Sequence, residues 1–152
     1  MKKTVVILAA MAILFVSGTA AVAGDSANVA VSATVVGTCK FNNGGTIIFN
    51  LDPSNGGDVN GAVTQPEFWC TKNATYTITD DNGLYETGTT HKMKHASLNE
   101  FIEYNFSYTA AGTGAGKNSP ITMNIASTVA EAQYVNASAG SYSDTVVLTI
   151  AP

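Results

Sequence analysis

Beyond its first two dozen residues the chain has no apolar repeat at helical spacing sustained over ten or more residues. What it has are short alternating runs, broken about every 8 to 12 residues by Gly, Asn, Asp and Pro. A chain punctuated so often satisfies its backbone by pairing strands, so the pattern predicts an all-β antiparallel sandwich. Strands are expected over 46–51 (TIIFNL), 74–79 (ATYTIT), 91–98 (HKMKHASL), 101–109 (FIEYNFSYT), 121–129 and 142–150, with Phe68-Trp69-Cys70 leading into the second of these. Residues 52–61 (DPSNGGDVNG) and 110–117 read as loops, Asp80-Asp81-Asn82-Gly83 as a turn, and 129–133 as room for one helical turn. No internal repeat and no second globular domain are visible.

The stretch 24–40 (GDSANVAVSATVVGTCK) has its own logic. Val29, Val31, Ala33 and Val35 fall on one face of a period-two strand, opposite Ala30, Ser32 and Thr34. Before it come Lys2 and Lys3, an apolar run over 5–16, and Ala21-Val22-Ala23, the three parts of a secretory signal peptide. The run is shorter than the roughly 20 residues that cross a bilayer, so no permanent membrane anchor is expected. Cleavage after Ala23 frees the 24–38 extension ahead of a single domain at 39–152. Val36 leaves a one-residue shift of the inward face open.

Removing Lys2 and Lys3 takes the net charge from −4 to about −6, and the chain has no arginine. Nucleic acid and anionic membranes are poor partners for such a surface. Cys39 and Cys70 are the two cysteines. Export makes a disulfide the default reading, and the missing CxxC spacing weakens a metal or redox pair.

No catalytic constellation emerges, and neither an enzyme nor a cofactor is expected. Glu100 and Glu103 lack any sign of a raised pKa or a cleft, and no G-x-S-x-G occurs. Asp80 and Asp81 lack the further oxygen ligands of a calcium loop. His91, Met93 and His95 share one face of a strand and form the one metal candidate, against a plainer reading in which Met93 plugs the core. Asn73, Asn105 and Asn136 begin N-x-S/T matches, which matter only in a glycosylating host.

The closing run AGSYSDTVVLTI (139–150) resembles the end of the spore coat protein U family, whose members finish in a G-x-Y-x-D-x-V pattern. Cys39, Cys70-Thr71, Tyr76, Gly83, Met93 and Tyr104-Asn105-Phe106 follow in that family's order. The resemblance implies an immunoglobulin-like sandwich that lacks its last strand and is completed by donor-strand exchange, as in archaic chaperone-usher pili. It implies Val29, Val31, Ala33 and Val35 as donor side chains and a Cys39–Cys70 bridge. Tyr142, Val146, Leu148 and Ile150 would form one wall of the acceptor groove.

The leading expectation is thus a structural subunit of an extracellular fibre or coat. It would pass through the periplasm to the cell surface with a chaperone and an outer-membrane usher, and polymerise with copies of itself or related subunits. The alternative is a secreted monomeric binding module for carbohydrate or another surface ligand, stacking it on Trp69, Tyr85, Tyr104 or Tyr108. A metal-carrying secreted protein would rest on His91 and His95 alone.

Overall fold

The computed structural model describes residues 24–152, so the expected signal peptide lies outside the described residues. The chain divides into two units, Met1–Ala33 and Thr34–Pro152. In the first, residues 24–33 carry no strand or helix, and Val29 and Val31 are 84 % and 90 % exposed. The second begins the same way, with Val35 and Val36 exposed, and then becomes a β-sandwich.

Its strands, in chain order, are β1 (Cys39–Phe41), β2 (Thr46–Ile48), β3 (Val59–Asn60), β4 (Ala62–Thr64), β5 (Glu67–Cys70), β6 (Thr75–Asp80), β7 (His91–His95), β8 (Phe101–Ser107), β9 (Ala111–Thr113), β10 (Ile121–Thr122), β11 (Ala126–Val129), β12 (Tyr142–Ser143) and β13 (Leu148–Ala151). One helical turn, α1 (Glu131–Tyr134), lies in the stretch where the sequence left room for it. Every strand pair is antiparallel, in sheets ordered β1-β5-β10, β12-β7-β8-β11-β3, β13-β6-β9 and β2-β4. The all-β antiparallel expectation holds.

The alternation does its expected work in β6, where Tyr76 and Ile78 are buried while Thr75, Thr77 and Thr79 face solvent. In β5 the same period buries Phe68 and Cys70, and the Phe68 and Tyr76 rings meet edge to face at 4.9 Å. Met123 and Ile125 complete that cluster, while Ile102, Val129 and Tyr134 form a second one. Between them Ile47, Phe49, Leu51, Met93, Tyr142 and Leu148 are only half-buried.

Several strands are shorter or more divided than expected. Residues 121–129 split because the chain changes sheets, β10 pairing with β5 and β11 with β8 and β3. At the crossing the Gln65 amide imitates a strand neighbour, accepting from the Ile125 N–H and donating to the Ile125 carbonyl, both at 2.8 Å. Residues 142–150 split likewise, with β12 on β7 and β13 on β6. There Asp81 serves residue 147, its carboxylate accepting from the Val147 N–H at 2.9 Å and its own N–H donating to the Val147 carbonyl. The expected loops at 52–61 and 110–117 contribute β3 and β9, strands too short for a periodic signal.

Candidate functional site

A groove runs along the sandwich between two sheet edges. On one side lies the run from β2 through Leu51, whose β2 pairs only with β4 among the described residues. On the other lies the run from β12 to β13, each the terminal strand of its sheet. Two cavities occupy the space between. One, of about 400 Å³, is lined by Ile47, Val63, Phe106, Ile125, Val146 and Leu148, among others. The other, of about 610 Å³, is lined by Leu51, Ile102, Tyr134 and Ala137, among others. Ile47, Phe49, Met93 and Tyr142 line both.

The walls follow from local sequence. In 46–51 the residues Ile47, Phe49 and Leu51 alternate with exposed Ile48 and Asn50, and in 142–150 every even-numbered side chain is half-buried while its neighbours are exposed. This period-two alternation continues through 144–147, where the ladder itself is interrupted. Tyr142, Val146 and Leu148 line the groove. Ile150 packs on the first core cluster, opposite Ile78.

Carboxylates hold the break in the wall. Asp144 accepts from the Tyr104 hydroxyl at 2.7 Å and from the Leu84 N–H at 2.9 Å, and it packs against Gly83, whose φ of +89° and lack of a Cβ permit the approach. Burial and this bond push the Tyr104 hydroxyl pKa well above its ordinary value. Asp80 accepts from the Tyr108 hydroxyl at 2.7 Å and the Asn82 N–H at 2.9 Å, with His91 Nε2 at 3.2 Å. Burial pushes the Asp80 carboxyl up, but these hydrogen bonds outweigh it and leave the pKa below the usual value. Tyr108, desolvated and bonded to that carboxylate, is pushed up to about 12. Asp81 is held low by the N–H groups of Val147 and Gly83.

At the base of the amino-terminal segment the Cys39–Cys70 disulfide joins directly paired residues of β1 and β5. Thr71 fastens the residues just before it. Its hydroxyl accepts from the Thr38 N–H at 3.0 Å and donates to the Val36 carbonyl at 3.2 Å, and its own N–H donates to the Thr38 carbonyl at 2.8 Å.

The metal candidate does not assemble. Four residues apart on β7, His91 and His95 lie about 13 Å from each other along the strand, with half-buried Met93 between them. His95 Nδ1 accepts from the Ser97 and Leu98 N–H groups, and its ring stands edge-on to Tyr142. Among the described residues no three His, Cys, Asp or Glu groups converge. Glu100 accepts from the Ser138 N–H and Glu103 pairs with Lys92 at 3.2 Å, so the two carboxylates serve different partners. Of the candidate stacking aromatics, Tyr104 and Tyr108 are tied to Asp144 and Asp80. Trp69 and Tyr85 are partly exposed, with the Lys117 and Lys94 ammonium groups 5.8 and 5.7 Å from their ring centres.

The sequence reading missed the second wall, Ile47, Phe49 and Leu51, although their alternation was visible in TIIFNL. It also missed Met93 as groove lining, which needed the pairing of β7 with β12.

In comparisons with known proteins, a model described as the Spore Coat Protein U domain matches residues 25–149. No curated protein matches the chain. Among solved structures the chain is similar to one in the crystal structure of the CsuC-CsuE chaperone-tip adhesion subunit pre-assembly complex, from archaic chaperone-usher Csu pili of Acinetobacter baumannii. The identity is 21 %, the TM-score 0.46, and the match covers 77 % of this chain and 40 % of that one.

Proposed function

Because the chain belongs to the Spore Coat Protein U domain family, we propose that it is a structural subunit of an extracellular fibre or coat, polymerised by donation of residues 29–35 to the groove of a neighbouring copy. The observation that carries this reading is the groove, with Ile47, Phe49, Met93, Val146 and Leu148 along it, flanked by the edges of β2, β12 and β13. An added strand is the occupant that satisfies both edges and the floor at once.

The dimensions agree. Residues 29–35 and the wall 46–51 span about 20 and about 17 Å end to end as strands. Val29, Val31, Ala33 and Val35 offer one apolar face, and all three valines are exposed in the single chain. Burying three valines and an alanine contributes about 5 to 8 kcal/mol gross, at about 1.5 to 3 per valine. Main-chain hydrogen bonds add about 0.5 to 1.5 kcal/mol each. Thr71 and the disulfide hold residues 36–39, the stretch that follows the donor. In transit a periplasmic chaperone covers the groove, and an outer-membrane usher exchanges that cover for the next subunit, as the family resemblance implies.

Deleting residues 24–35 is the direct test. Exported with its secretion partners, the shortened chain is expected to yield no SDS-resistant ladder. A ladder of normal length would remove the donor role.

A further inference from the structure

The groove is not uniform, and its shape bears on which donor residue sits where. The two cavities share Ile47, Phe49, Met93 and Tyr142, so these four side chains lie where the two meet, the ridge of the groove. Met93 is the middle residue of β7, pointing to the same face as His91 and His95 but less buried than either. Phe49 leans on Tyr104 with ring centres 6.2 Å apart.

Inward side chains on the donor recur about every 6.6 Å. With an end position over the ridge three side chains would crowd one hollow, so the ridge meets an interior position or the gap between the two interior ones. Whichever way the strand runs, the interior positions are Val31 and Ala33. Ala33 is the one small side chain of the four.

Resting on the donor-strand reading above, we infer that Ala33 crosses the ridge at Met93 and Phe49 of the neighbouring copy, and that this contact sets the register. Val31 and Val35, on either side, then drop into the two hollows. A larger residue at 33 has two routes, displacing Met93 or sliding by two positions. The slide keeps the inward face but carries one valine out of the groove.

The test compares ladder formation by the full chain exported with its secretion partners. Ala33→Leu is expected to reduce polymer yield by about tenfold or more, as overpacking at a tight contact does. Adding Met93→Ala to the same chain is expected to restore yield to within about threefold, whereas Val36→Leu alone leaves it within about twofold. Residue 33 is exposed in the single chain, so its change does not threaten the fold. If Met93→Ala disturbs the near-UV circular dichroism, Met93→Val takes its place. Wild-type yield from Ala33→Leu, or a defect that neither Met93 variant relieves, overturns the register while the deletion result still supports donation. A ladder that survives deletion of residues 24–35 overturns both.

Discussion

At the scale of single residues, Asp80 at the end of β6 reaches its own turn through Asn82, β7 through His91, and the residue after β8 through Tyr108. Asp80→Asn keeps the shape but weakens three bonds, and is expected to lower unfolding free energy by about 1 to 3 kcal/mol in urea titration. The pH dependence has a definite sign. The Asp80 and Asp81 pKa values are depressed in the folded chain, so the unfolded state takes up protons first as pH falls. Their stabilisation is full above the ordinary carboxylate value of 3.8 and is lost as pH drops through the lower folded values. Denaturant midpoints should therefore fall below about pH 4, and Asp80→Asn should flatten that fall. The sequence made the local half of this legible. Asp80 and Asp81 were read as turn residues, and they do accept from Asn82 and Gly83. Tyr108 and Val147 lie 28 and 66 residues away, and no local pattern announces such partners.

At the scale of elements, the wall 142–150 shows what periodicity conveys and what it leaves out. Its even-numbered residues face inward as the alternation implied, because side-chain direction is fixed by the pleat. The break at 144–147 was invisible, since it depends on Asp81 from another strand replacing the ladder. The same holds at 123–125, where Gln65 supplies the substitute bonds. The wall also offers a test of the groove. Val146 is half-buried and lines the first cavity. Val146→Asp is expected to leave far-UV circular dichroism unchanged but to cut polymer yield by about thirtyfold, because an incoming strand would bury an unpaired carboxylate at a cost of about 2 kcal/mol or more. Retained polymer yield would mean the donor does not pass this wall.

At the scale of the whole molecule, the core is divided. The nine buried hydrophobic residues of the described core fall into two clusters with the groove between. A sandwich of this kind gains stability from whatever fills the gap. A synthetic peptide of residues 24–36, added at a hundred times its Kd, should raise unfolding free energy by about 2.7 kcal/mol, while a peptide with Val29, Val31 and Val35 changed to Ser should not. The disulfide, closing a loop with a sequence separation of 31, contributes about 3 to 4 kcal/mol in the chain-entropy view.

That bridge also has a mechanical meaning. In a fibre built by donation, a pull on one subunit enters the next through its donated strand and leaves through residues 36–39. There the load meets the Thr71 hydrogen bonds and, immediately behind them, the covalent Cys39–Cys70 link into β5. Tension is thereby handed to the middle strand of a sheet instead of peeling β1 from its edge. In such a fibre the bond that closes the fold would also be the one that makes a chain of subunits a tether.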